Sequence, residues 1–531
     1  MLRHAPLTAL LVFVLGLATP AFARDVTALP DIGSSAAQVI SPEEQKQYGE
    51  MEFREMRRLG YVLDDPLLED WLQDVGNRLV ANSNKPSLKF HFFLVRSRDI
   101  NAFATLGGYV AINAGLILTT ASEDELAGVM SHEIAHVTQN HILRGVEAQK
   151  RNTLPIALAM LAAVIVSSRS NSDTSATATQ AAIAAGTGLL AQQQINFTRD
   201  NETEADHFGI QTMARAGYDP TAMATFFDRL QAAYRNDEGY GPYKAPDFLI
   251  DHPVTTTRIS DALDRARQIK NNPGNSIPSG IVVAPSSLLL PANLSVRPAD
   301  ATPSMHRGRD FGWARERLRV LSAESSGAAI AEYTKLRAGN PSAFGDAQRY
   351  GLDLARMSHA EPEAALHDLQ ALAEKHPDAY WIELAIAKAE YLSGRRQEAL
   401  NNYERMLQKW PRNRAVVLSY ATTLGEIGTA DAGRRAQAVL RPLTTEGEND
   451  PEFQQTFGRA SELAGDTGRA GEAYATAAFL NGRAEDALNQ LEALKRRSDI
   501  DYYQRARIDA LIAQITPTVL ELRKDHVRPQ D

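Results

Sequence analysis

Apolar residues recur at helical spacing along most of this chain, and only two short stretches read as strands. Ser41-Pro42-Glu43-Glu44 fits a capping box with proline at the first helical position, opening an amphipathic helix to about Leu59. Asp65-Pro66 starts another, with Trp71, Val75 and Leu79 on its apolar face. Leu88 to Val95 and Tyr109 to Asn113 read as strands. Ser122 with Glu125 forms a second capping box ahead of Leu126, Val129, Met130, Ile134 and Val137, so a helix is expected from about Glu123 to about Leu143. Residues 142–198 then form a long insertion. Its two apolar stretches, Leu154 to Val166 and Ala181 to Ile195, are too short to span a membrane and flank a segment rich in serine and threonine. Three readings stand: a hydrophobic lid, a patch that rests on a membrane or an unfolded client, or a pair of core helices joined by a loose loop.

Six prolines between 273 and 303 mark residues 271–306 as a linker. From 307 to 516 the pattern is helical and periodic. An alanine followed four residues later by tyrosine or leucine recurs as Ala329/Tyr333, Ala365/Leu369, Ala399/Tyr403, Ala436/Leu440 and Ala470/Tyr474, at spacings of 36, 34, 37 and 34 residues. A small residue then a bulky one at a period near 34 predicts tetratricopeptide-like (TPR) repeats, whose concave surfaces bind peptides or partner proteins. Residues 517–531 read as a polar tail.

The chemistry concentrates at His132-Glu133-Ile134-Ala135-His136. On a helix the two histidines lie one turn apart on one face, where two imidazoles can grip one ion. Glu133 is then placed to take a proton from an attacking water. A zinc site needs a third protein ligand. His141 lies five residues past His136, rotated off the ligand face, and Gln139 and Ile142 stand where the longer HExxHxxGxxH motif requires glycine and histidine. Glu202 is the better candidate. Asp206 shares its helix face and can reach a ligand histidine from behind or serve as a proton donor, whereas Glu204 points about 200° away.

The segment Asn101 to Tyr109, then Ile112 to Leu116, then HEIAH, then Glu202-x-x-Ala205-Asp206, resembles the HtpX-like and CAAX-prenyl-protease-like gluzincin metallopeptidases. The likeness covers roughly residues 41 to 270. It implies an α+β zincin-like domain, mostly helical with a small sheet, over residues 24–270, holding one Zn2+ per chain on His132, His136 and Glu202. It also implies a substrate strand along Tyr109, Val110 and Ala111, to which an extended client adds by backbone hydrogen bonds; a plain sheet strand is the alternative. His252, in Asp251-His252-Pro253, has three readings: it steadies the oxyanion of the intermediate, it binds the zinc and leaves the enzyme latent, or it is a loop histidine. Arg258 is a weaker candidate. With an all-α repeat domain appended, the resemblance implies an envelope endopeptidase with chaperone activity that assists outer-membrane protein maturation. Its clients would be unfolded or misfolded outer-membrane proteins, and its partner the outer-membrane β-barrel assembly machinery, docked through the TPR domain.

Residues 1–23 carry Arg3, an apolar stretch and Ala21-Phe22-Ala23, a secretory signal that fits export to a bacterial periplasm or full secretion, the periplasm being what the resemblance implies. There is no cysteine, which excludes disulfides, thiolate zinc sites and cysteine-peptidase chemistry. A net charge of −9 with no basic run argues against nucleic-acid binding. Two functions therefore stand: a zinc endopeptidase that degrades stalled clients, or mainly a chaperone or docking protein whose metal site is normally latent.

Overall fold

A computed structural model describes residues 40–145, 147, 198–237, 248–249, 252–271 and 308–527. The expected signal segment, most of the 142–198 insertion, the expected Pro-rich linker and the last four residues lie outside the described residues. Two long helices come first: α1, Pro42–Arg58, and α2, Pro66–Ala81. The Ser41/Glu44 capping box closes α1, and Asp65 caps α2 through Leu68 N. The sheet follows as β1, His91–Val95, β2, Ala102–Ala104, and β3, Tyr109–Asn113. Alternate residues face opposite ways. Phe92, Leu94, Val110 and Ile112 enter the main core, while Phe93, Val95 and Ala111 pack with Phe53 of α1 in a small second one.

The strand order is β1-β3-β2, with β1 parallel and β2 antiparallel to β3. This corrects the sequence reading at two points. A three-residue strand, β2, joins the two expected ones, and its pairing makes β3 the central strand. The backbone of Tyr109, Val110 and Ala111 is bonded on both sides, so no client can add there; the free edge beside the site, among the described residues, is Ala102–Ala104.

Helix α3 spans Ala114–Thr119 and α4 Glu123–Thr138. Ser122 caps α4, but the Glu125 carboxylate reaches Ala121 N rather than Ser122 N. The helix also ends earlier than expected, because Asn140 takes a left-handed φ of 57°. A short helical turn over residues 141–145 follows. Helix α5 covers residues 198–215, α6 Ala222–Asp237 and α7 Thr256–Asn271.

Twelve helices continue among the described residues: α8 Phe311–Leu321, α9 Ser326–Gly339, α10 Asp346–Ser358, α11 Pro362–Lys375, α12 Tyr380–Leu392, α13 Arg396–Lys409, α14 Arg414–Ile427, α15 Ala430–Leu440, α16 Pro451–Ala464, α17 Thr467–Leu480, α18 Ala484–Lys495 and α19 Tyr502–Val527. From α9 onward each packs on its neighbours in sequence. All five alanines of the periodic pairs are buried, with Tyr333, Leu369, Tyr403 and Leu440 buried beside them and Tyr474 half-buried. The polar tail expected from residue 517 is instead the second half of α19. Ile508, Ile515 and Val519 bury one face against α18 and α17, and that packing carries the helix through Pro517.

The helical region curls back onto the N-terminal α+β half. Helix α8 lies on α2 and α3, and α14 lies on α2. Arg98 bonds the carbonyls of Arg319 and Ser322, and Arg317 forks onto Asp65 at 2.6 and 2.8 Å. Farther along, the Arg54 guanidinium stacks 4.1 Å from the ring of Phe479. One apolar core runs without a break from Leu63 to Ala460.

Arg414 joins the halves with an excess of acid around it. Glu69 and Asp450 lie 2.9 and 2.6 Å away, Asp70 and Glu452 3.6 and 3.9 Å. Burial pushes Glu69 up to about 7, Asp70 to about 6 and Glu452 to about 8. These groups hold protons in the folded chain that they release on unfolding, where carboxyls titrate near 4. The stability they contribute is complete below about pH 4 and is lost as pH rises through 6 to 8. The melting temperature should therefore fall from pH 6 to 8.5, and Glu452→Gln should flatten that slope and melt higher at pH 8.5. An unchanged slope in the variant would contradict the assignment.

Candidate metal centre

Helix α4 is buried along nearly its whole length, which places His132 and Glu133 in the interior. Helix α5 crosses it closely at Gly209, where a Cβ would sit 3.2 Å from His132 N and 2.9 Å from the Met223 methyl. That approach lets Glu202 and Asp206, one turn apart on α5, reach the histidines of α4. The chain just before α7 adds His252.

Four donors converge. His132 Nε2 lies 3.0 Å from His136 Nε2 and 3.3 Å from Glu202 Oε2, and His136 Nε2 lies 3.4 Å from Glu202 Oε1. His252 Nδ1 stands 3.3 Å from His132 Nε2 and 3.0 Å from Glu202 Oε1. Ligands about 2.0–2.2 Å from a tetrahedral zinc sit about 3.3–3.5 Å from one another. Three of the separations here fall in that range and two, at 3.0 Å, are slightly shorter, so with a small outward shift the donor set fits a zinc ion. It is also the one such cluster of histidines and carboxylates among the described residues.

The surroundings follow the same logic. Asp206 Oδ1 lies 3.0 Å from His132 Nδ1, and Arg258 holds both Asp206 oxygens at 2.8 Å through Nε and Nη2. Arg258 Nη1 also reaches Glu202 Oε2 at 2.9 Å and the Pro253 carbonyl at 2.9 Å. Burial opposes charge on His132, but its bonds to Asp206 and Glu202 win and push it up to about 10; burial pulls His136 down to about 3. Burial works against the Glu202 carboxylate too, yet the histidines hold it well below the usual range. Glu133 is pushed up by burial. Its Oε1 has no hydrogen-bond partner and points toward His252 Nε2 at 3.5 Å, too far for a bond. A buried carboxylate oxygen left open beside four possible metal donors is available to accept a proton.

Residues 66–266 match the model of peptidase family M48. Over 514 residues the chain is 30% identical to the β-barrel assembly-enhancing protease of Escherichia coli O157:H7, covering 96% of this chain and 95% of that protein. This chain belongs to peptidase family M48. A Vibrio cholerae relative is 44% identical over 253 residues, spanning 47% of this chain and 50% of that relative. Metalloprotease LoiP of Escherichia coli K12 is 27% identical over 197 residues, 36% of this chain and 69% of that one. As an M48 peptidase the chain is a zinc metalloendopeptidase.

The geometry brings together His132, Glu133, His136, Glu202, Asp206, His252 and Arg258, all singled out in the sequence, but not the strand Tyr109–Ala111, whose backbone is paired on both sides. Two groups carry more than the sequence suggested. Arg258, expected on the surface, is buried and clamps two carboxylates, because its long side chain reaches inward from α7. His141, rotated off the ligand face on an unbroken helix, lies against His136. Arg258→Ala would leave Asp206 and Glu202 short of their buried cation, which should cost about 3–5 kcal/mol of stability, read by denaturant unfolding of the full chain. Arg258→Lys should recover only part, since an ammonium cannot fork onto both Asp206 oxygens. Full recovery by lysine would show that charge alone matters there.

Proposed function

We propose that this M48 peptidase acts in the periplasm in the assembly and quality control of outer-membrane β-barrel proteins, cleaving misfolded or stalled clients. The single observation that carries the peptidase half is the unpartnered Glu133 oxygen beside His132, His136 and Glu202. Those three residues would hold the ion, which when bound supplies a Lewis acid for the scissile carbonyl and the attacking water. Glu133 Oε1 takes the proton from that water and returns it to the leaving amide nitrogen. Asp206, oriented by Arg258, fixes the His132 ring from behind. An extended client pairs with the free edge of β2, which runs beside α4 and its Glu133. Backbone pairing reads little side-chain identity, which suits the cleavage of unfolded chains.

His252 takes the latent role in this reading. Its Nδ1 stands where a fourth ligand belongs, and its Nε2 faces the oxygen that must accept the water's proton. With an ion held by His132, His136 and Glu202, His252 would stand in for the attacking water and keep the peptidase shut. The chaperone or docking role is compatible with such a resting state. The paired helices and buried alanine positions of α9 to α18 support TPR repeats as the surface that docks clients and the assembly machinery. Among the described residues no helix is long and apolar enough to cross a membrane. Export rests on residues 1–23.

Purified full chain should cleave casein slowly, and His252→Ala should cleave it faster. Slower cleavage by His252→Ala would instead assign His252 to oxyanion stabilisation. Glu133→Gln should keep its zinc and lose about 10²–10⁴-fold in rate. If Glu133→Gln supports β-barrel assembly as fully as wild type, docking rather than proteolysis is the main role.

A further inference from the structure

The outer nitrogens of the two HExxH histidines are held differently. His132 Nδ1 meets the Asp206 carboxylate directly. His136 Nδ1 meets Nδ1 of His141 at 2.9 Å. His141 Nε2 in turn lies 3.1 Å from Glu204 Oε2, and that same oxygen accepts a 2.6 Å hydrogen bond from Arg144 Nη1. His141 is buried, at 4% exposure. Helical spacing alone would turn its side chain away from His136. It arrives because α4 stops at Thr138 and Asn140 adopts its left-handed φ, so the next residue folds back over the end of the helix.

One order of protons satisfies every bond in this row. A neutral imidazole that offers Nε2 to a metal carries its proton on Nδ1. The Nδ1–H of His136 then donates to the bare Nδ1 of His141. That leaves the His141 proton on Nε2, where it is donated to Glu204, and Arg144 donates to the same carboxylate. The reverse tautomer of His141 would set two N–H groups against each other and leave its bare Nε2 against an oxygen that can only accept. A ligand histidine's outer nitrogen normally meets a carboxylate, a carbonyl or water. Here an imidazole is interposed, and the carboxylate acts one step removed.

We propose that His141, oriented by Glu204 and Arg144, is a positioning residue for the metal centre: it fixes the tautomer and ring plane of His136 so that Nε2 faces the ion. The inference rests on the zinc reading above and adds a second support, opposite the Asp206–Arg258 one. Its test is zinc affinity, measured by chelator competition on the full chain, with melting curves of the zinc-free proteins. The variants are His141→Leu, His141→Asn and Glu204→Ala; an asparagine places Oδ1 where the histidine has Nδ1 and so restores the acceptor.

His141→Leu should weaken zinc binding about 10–100-fold, His141→Asn should recover most of that, and Glu204→Ala should lose about tenfold. The visible spectrum of the cobalt-substituted protein should change in the leucine variant and return in the asparagine one. A purely structural role would lower the melting temperature of both His141 variants without separating their affinities, and that result overturns the proposal. So does a leucine variant that binds zinc within about twofold of wild type. If the leucine variant does not fold, Glu204→Ala decides by the same criterion. A wild type that takes up no zinc defeats the metal reading and this inference together, whereas a wild type that binds beside variants that match it defeats this inference alone.

Discussion

Everything at the site depends on keeping charged and polar groups of α4 and α5 buried against one another. An unpaired buried carboxylate is costly, and this centre buries Glu202, Asp206 and Glu133 within a few ångströms. Arg258 is the cation that makes this tolerable in the absence of metal, since it touches both Glu202 and Asp206. The close crossing at Gly209 is the steric condition for the same arrangement. A zinc ion held by His132, His136 and Glu202 would add a second cation beside the same buried carboxylates.

The second constraint is mechanical. The peptidase half shares a continuous apolar core with the helical region that curls over it, and ion pairs of Arg98 with Glu332, Arg317 with Asp65 and Arg414 with Glu69 cross the junction. A client held by the helices would thus be held at a set place relative to the sheet edge and the metal donors. That coupling gives a physical reason for a protease and a docking surface to share one chain. Under the latent reading of His252, a docked client would be kept near the metal donors, and cleavage would wait on movement of that histidine.

The residues legible in the sequence were those on regular helices. His132, Glu133 and His136, and Glu202 with Asp206, follow from i, i+4 geometry, and both elements are unbroken helix through those positions. His141 was hidden by one left-handed residue, because arithmetic along α4 fails beyond Asn140. Arg258 was hidden by its length, since a long side chain on a surface helix can turn inward to a buried pair. The sheet was half legible: β1 and β3 carry strong β-formers, but β2 has three residues and little pattern, and without it the edge was placed on the wrong strand. The end of the chain misled for the opposite reason. Pro517 and a polar composition suggest a tail, yet four-residue spacing of Ile515 and Val519 buries one face and keeps α19 going.

The central claim is a zinc site closed by His252, and counting imidazoles around the metal tests it most directly. X-ray absorption at the zinc edge on the full chain should show a four-coordinate ion with three imidazoles and one carboxylate oxygen in wild type, and two imidazoles in His252→Ala. Two imidazoles in both proteins would place His252 off the metal and contradict the closed state.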